Sequence, residues 1–253
     1  MTAVRASSAP HGVRETLRAS GERAWSRRHE PHAQWLAILA VAFVAAVAAF
    51  GHVVEDYLTG DPIVRWDVDL ARWLHEHSSQ TLVNLFQVVT WAGNAIVLAL
   101  VTAAALAFLL RRRLLGTAVL VLAVAAGIEV LNAGLKLVFH RPRPELAFVH
   151  LDTYSFPSGH AMISTATYGA FAYLAWSRLQ TRRSRLTLAV GTSLLVALIG
   201  FSRLYLGAHY LSDVLAGLSL GLAWTAGWLL AFEALGAARF ARAVPRRARD
   251  RLT

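Results

Sequence analysis

Residues 91–139 read WAGNAIVLALVTAAALAFLLRRRLLGTAVLVLAVAAGIEVLNAGLKLVF, two apolar runs parted by Arg111-Arg112-Arg113. The first run, Trp91–Leu110, has no charge, and the second, about Leu114–Phe139, has only Glu129 and Lys136. A helix rises about 1.5 Å per residue, so each run can cross about 30 Å of hydrocarbon. Three adjacent arginines between two such runs place their connection on the cytoplasmic side.

Four more apolar runs lie outward from this pair, at about Trp35–Val54, Gly159–Ser177, Leu186–Phe201 and Tyr210–Phe232. The composition agrees: of 253 residues 56% are hydrophobic and 16% charged, with a mean hydropathy of +0.47. The predicted fold class is all-α, an integral membrane bundle of six transmembrane helices. Arginines of the N-terminal segment (Arg5 to Arg28), Arg111–Arg113, the segment Arg178 to Arg185, and the segment Arg239 to Arg251 must share one side. Six spans allow this when both termini are cytoplasmic. Residues 1–33 read as a basic, mostly disordered tail, 34–233 as the membrane domain and 234–253 as a second basic tail. Ser26-Arg27-Arg28 has a faint likeness to an export signal, but the long run after it, with five more to follow, reads as an uncleaved anchor.

The net charge of +10 does not point to nucleic acid, because the arginines lie between the apolar runs, where they suit topology and anionic headgroups. There is no cysteine, which excludes disulfides, thiolate metal sites and cysteine nucleophiles. Between the first two runs, Leu70, Trp73 and Leu74 recur at helical spacing beside Asp67, Asp69, Arg72 and Glu76. This predicts a short helix in the membrane interface, an anchor or a lid.

The chain has 24 arginines and a single lysine. That lysine, Lys136, shares a helical face with Glu129 and Asn132 and opens Lys136-Leu137-Val138-Phe139-His140-Arg141-Pro142-Arg143-Pro144. Alone it could simply snorkel to the interface. Pro157-Ser158-Gly159-His160 reads as a helix start, where Ser158 can cap, Gly159 permits close backbone approach, and free N–H groups can seat an anion. An ordinary N-cap would look the same, but His160 has no role in capping. Ser202-Arg203 ends the fifth run and offers a planar guanidinium fork. His209 and Asp213, four apart, share a face at the start of the sixth. A carboxylate there can take the proton of one ring nitrogen and leave the other a free lone pair. A metal pair or a structural hydrogen bond is the alternative, and the neighbouring cations favour phosphate over a divalent ion. All the blocks fall at the face opposite the arginine clusters.

The pattern Lys-x6-Arg-Pro, Pro-Ser-Gly-His, Ser-Arg-x5-His-x3-Asp resembles the type 2 phosphatidic acid phosphatase (PAP2) superfamily, and no motif position departs from it. The resemblance covers about residues 35–232. It implies a membrane phosphatase that acts on lipid phosphates without metal or other cofactor, through a phosphohistidine. By that resemblance His209 is the nucleophile, Asp213 fixes its tautomer, and His160 protonates the leaving oxygen. Lys136, Arg143, Arg203, Ser158 and the Gly159 N–H would bind the phosphate. Phosphatidic acid, phosphatidylglycerol phosphate and polyprenyl diphosphates are the candidate substrates. The arginine- and alanine-rich composition suggests a GC-rich bacterial genome and hence the bacterial cell membrane, with the site facing its extracytoplasmic side. A lipid phosphotransferase could use the same histidine. A transporter is the non-enzymatic alternative, though no internal repeat is visible. A haloperoxidase is disfavoured because such relatives are typically soluble.

Overall fold

A computed structural model describes residues 11–60, 62–149 and 151–243, with side chains for 33–60, 63–149 and 151–236. The described residues form eight α-helices and one 3-10 turn: α1 His11–Thr59, α2 Pro62–Glu76, α3 Gln80–Thr90, the turn Trp91–Gly93, α4 Ala95–Arg111, α5 Leu115–Phe139, α6 Gly159–Trp176, α7 Arg182–Tyr205 and α8 Leu211–Ala243. Among them is no strand, so the all-α expectation stands.

Five helical stretches among the described residues are long and apolar enough to cross a bilayer: Ala33–Thr59, Gln80–Arg111, Leu115–Phe139, Arg182–Tyr205 and Leu211–Gly236. Their large apolar side chains, such as Val41, Val130 and Val138, are about 70% exposed. Such a surface suits lipid rather than water. The remaining expected span, α6, is not among the five. It packs on α4, α5, α7 and α8 and buries seven residues, including Ser164 and Thr167. A helix walled by protein needs less apolar surface than one facing lipid, which explains its milder composition.

Several boundaries differ from the sequence reading. Helix α1 begins at His11, so residues 11–33, expected to be mostly irregular, are helical; residues 1–10 lie outside the description. Arginine, alanine, glutamate and leucine are strong helix formers, and a formed apolar helix extends cheaply into them. Helix α8 likewise continues to Ala243, into the expected C-terminal tail; residues 244–253 lie outside the description. The second run starts not at Trp91 but at Ala95, where the Asn94 side chain caps Ile96 N–H. The unforeseen α3 precedes it, capped by Ser79 and burying Val83 and Phe86 against α7.

Close backbone packing joins α6 to α8. A Cβ on Gly217 would sit 2.6 Å from the Ser158 carbonyl, and one on Gly221 2.5 Å from that of Met162. Small residues let the two backbones approach, and in lipid such packing carries association, since burial from water is absent. Helices α5 and α7 end, and α6 and α8 begin, at one end of the bundle. All the motif blocks are therefore at that end.

Candidate active site

Helix α5 ends with His140 in the left-handed region, φ 47°, and residues 140–149 and 151–158 fold back over the bundle end. It is fastened from below. Phe148 N–H donates to Leu206 O at 3.0 Å, Ser155 N–H to Arg141 O at 2.8 Å, and Ser158 N–H to Asp213 O at 2.9 Å. The turn between α7 and α8 has Gly207 at φ +64°, where a Cβ would lie 2.7 Å from the Leu146 carbonyl. Both conformation and space require glycine there.

His209 follows this turn, buried at 3% exposure. Arg143 Nη1 lies 3.3 Å from its Nε2. A guanidinium only donates, so Nε2 is the accepting nitrogen and the proton of the neutral ring belongs on Nδ1. Asp213 Oδ2 stands 3.5 Å from that Nδ1, a contact longer than a hydrogen bond. Burial, followed by the fields of Arg203, Arg143 and Lys136, holds the His209 imidazole well below its ordinary pKa. It is neutral near pH 7, the form in which an imidazole can act as a nucleophile.

The three cations converge. Arg143 is held by Thr153 O at 2.6 Å, Ala208 O at 2.6 Å and Thr153 Oγ1 at 2.8 Å. Lys136 Nζ donates to Tyr154 O, so it turns into the site, as phosphate binding requires and snorkelling does not. Arg203 donates from Nη1 to Thr90 Oγ1 at 2.8 Å. His160 lies within electrostatic reach of Arg203, His209, Arg143 and Lys136. Lys136, Arg143, Arg203, His160 and Asp213 thus gather around His209.

Two expectations are refined. Ser158 occupies the N-cap position, yet its side chain caps nothing. Its Oγ is buried without a partner, as is Arg203 Nε. Buried polar atoms nearly always find partners, so a cluster of orphans beside three cations marks a place for an anion. Gly159, expected to let a ligand approach, packs against Asn132, whose Nδ2 would lie 3.1 Å from a Cβ there. Of the face Glu129, Asn132 and Lys136, only Lys136 enters the cation cluster; Glu129 lines a separate cavity of about 240 Å³ among α4, α5 and α6.

Sequence reading missed the far side of Asp213. Arg141, inside the six-residue spacer of the first motif, donates from Nη1 to Asp213 Oδ1 at 2.6 Å and from Nη2 to Asp67 Oδ2 at 2.7 Å. Asp67 belongs to α2, where the sequence sets it beside an apolar stripe; it is 1% exposed. Instead Trp66 and Trp73 face outward, at 66% and 55%, while Leu74 enters the core with Leu204 and Leu206. The only signal in the sequence was Asp67's place in a helix of high amphipathicity, which does not reveal which polar residue turns inward.

An all-helical membrane-type bundle with a buried histidine among cations at one end defines the class of protein. Residues 115–236 match the PAP2 superfamily. Among relatives, phosphatidylglycerophosphatase B of Bacillus subtilis (strain 168) is 38% identical over 96 residues, 37% of this chain and 47% of that protein. An uncharacterized 22.5 kDa protein in cps region of Klebsiella pneumoniae is 36% identical over 85 residues, 34% and 40% of the two chains. The chain spans about half the length, or less, of these curated relatives. The fold is similar to the crystal structure of the transmembrane PAP2 type phosphatidylglycerolphosphate phosphatase from Bacillus subtilis. That match has a TM-score of 0.64 at 24% identity over 82% of this chain and 98% of the other. Aquifex aeolicus LpxE matches with a TM-score of 0.52 at 25% identity, over 65% and 94%.

Proposed function

We propose that this protein hydrolyses a phosphate monoester or diphosphate of a membrane lipid, without metal, through phosphorylated His209. The observation that carries the proposal is the set of orphaned buried atoms, Ser158 Oγ and Arg203 Nε, beside the nucleophile whose Nε2 faces Arg143. A bound phosphoryl group would satisfy both atoms and offset three positive charges.

The chemistry follows from the placement. His209 Nε2 attacks phosphorus in line, and the bond from phosphorus to the lipid oxygen breaks. His160, protonated once the anionic phosphate offsets the three cations, gives that oxygen a proton. The imidazolium formed on His209 keeps its Nδ1 proton, shared with Asp213, and this contact shortens as positive charge develops. His160 then takes a proton from water, whose oxygen attacks phosphorus and releases Nε2. Lys136, Arg143, Arg203, Ser158 and the Gly159 N–H bear the charge on the equatorial oxygens, the dominant contribution in such transfers.

Six spans, with α6 counted among them, would put both termini in the bacterial cytoplasm and the site at the outer leaflet. Lipid would then enter sideways, under or beside α2 in the interface. The experiment is phosphate release in EDTA by the detergent-purified protein from phosphatidylglycerol phosphate, phosphatidic acid and a polyprenyl diphosphate. Phosphatidylglycerol phosphate comes first because of the relative from Bacillus subtilis. Release from one lipid supports the reading. No release from any of them, with the protein folded, overturns it, and transfer to an added acceptor would redirect it to a phosphotransferase.

A further inference from the structure

Behind the nucleophile lies a buried assembly that the phosphate site does not use. The Arg141 guanidinium, 5% exposed, is sandwiched between the rings of Tyr57 and Tyr210, at 4.7 and 4.4 Å. Its Nη1 donates to Asp213 Oδ1 at 2.6 Å and to Ser212 Oγ at 2.7 Å. Its Nη2 donates to Asp67 Oδ2 at 2.7 Å. Asp67 Oδ1 accepts from Ser212 N–H at 2.8 Å, and Oδ2 also accepts from the Ser212 hydroxyl. Asp213 Oδ2 accepts from Tyr210 N–H at 2.9 Å.

Two carboxylates share one guanidinium, so the assembly carries one net negative charge. Stability alone is a poor reason for it, since apolar side chains could fill such a volume at little or no cost. The charge arithmetic gives a better one. If Arg141 paired with Asp213 alone, it would cancel the charge that His209 needs when it becomes an imidazolium. Asp67 takes half of Arg141 and leaves Asp213 Oδ2, fixed by Tyr210, a net negative field toward Nδ1.

We propose that Asp67 and Arg141 are positioning residues: Arg141 orients the Asp213 carboxylate, and Asp67 offsets Arg141 so that Asp213 keeps its charge for the phosphorylated histidine. This rests on His209 being the nucleophile. It also ties α2 to the chemistry, since Asp67 is the residue by which that helix reaches the site.

The test is Asp67→Asn, which keeps shape and an acceptor, measured by rapid alkaline quench with labelled lipid. Phosphohistidine formation should slow by about 10- to 100-fold, as happens when a partner that orients a metal-ligating histidine is lost, with KM within about twofold. Adding Arg141→Gln to Asp67→Asn removes the charge that no longer has a counterweight, so the double variant should recover part of the rate. A purely structural role predicts the opposite, a double variant worse than either single one. Phosphohistidine formation in Asp67→Asn at the wild-type rate, or a loss confined to KM, would overturn the proposal. Wild-type protein that releases phosphate but forms no phosphohistidine would instead sink the nucleophile reading beneath it.

Discussion

The two sides of His209 are built on opposite rules. On the side of Nε2, Lys136, Arg143 and Arg203 stand together, and Ser158 Oγ and Arg203 Nε have no partner. On the side of Nδ1, Asp213, Arg141, Ser212 and Asp67 form a closed set of bonds between 2.6 and 2.8 Å, joined by the Ser212–Asp67 hydroxyl contact. Arg141 and Arg143 are two residues apart, yet one neutralises carboxylates while the other is held by carbonyls and a hydroxyl and keeps its charge for a ligand. An incomplete set of buried donors marks a place where something binds. A complete set marks a place where something is held still.

The largest break in this comparison is His209→Ala, which removes the proposed nucleophile shared by both sides. Phosphate release in EDTA should fall by at least about 10⁴-fold; residual turnover near wild type would mean that another group attacks. Next is Lys136→Arg. It keeps the charge but replaces a compact ammonium with a wide planar fork, and a displacement of about 1 Å at a reacting group can cost about 10²-fold. Turnover close to wild type would show that Lys136 supplies charge alone.

A pair of serines sharpens the contrast further. Ser158→Ala deletes a hydroxyl that has no partner within the protein, so the melting temperature should hold or rise. The rate should nonetheless drop by about 10-fold, roughly the worth of one hydrogen bond to a charged group. Ser212→Ala deletes a hydroxyl bonded to both Asp67 and Arg141, and should lower the melting temperature. Equal melting shifts in the two variants would erase the distinction between an open and a closed side.

The front side was legible in the sequence because its residues lie in short blocks at helix ends. Lys136, Arg143, Pro157 to His160, Arg203 and His209 can be ordered by spacing alone once α5 to α8 are read as alternating helices. The closed side was not legible, because its contacts join Asp67 to Arg141 and Ser212 across the chain. Periodicity in α2 announces an apolar stripe, but not that an aspartate rather than a tryptophan turns inward. Exposed Trp66 and Trp73 are ordinary in lipid and anomalous only in water, so the usual rule for choosing the buried face fails here. Helix α6 was found from its Pro-Ser-Gly start and its length, though its polar residues keep it outside a simple hydropathy criterion.

The smallest expected effect concerns protonation of the residue between the two sides. The folded protein holds His209 well below the usual histidine pKa through burial and the fields of Arg203, Arg143 and Lys136. An unfolded chain takes up a proton there below about pH 6.5, while the folded one does not. The stability linked to this group is therefore complete above about pH 6.5 and declines as the pH falls toward the folded value. The decline is at most about 1 kcal/mol between pH 6.5 and 5.5. Melting curves of the wild type should fall more steeply over that interval than those of His209→Gln, whatever the offset between them. Parallel curves would mean that His209 is protonated in the folded protein near its ordinary pKa, and that the cations do not act on it. The same titration removes the Nε2 lone pair. For the unliganded enzyme, the acid limb of kcat/KM should accordingly lie below the ordinary histidine range, and one near pH 6.5 would contradict the electrostatics of the front side.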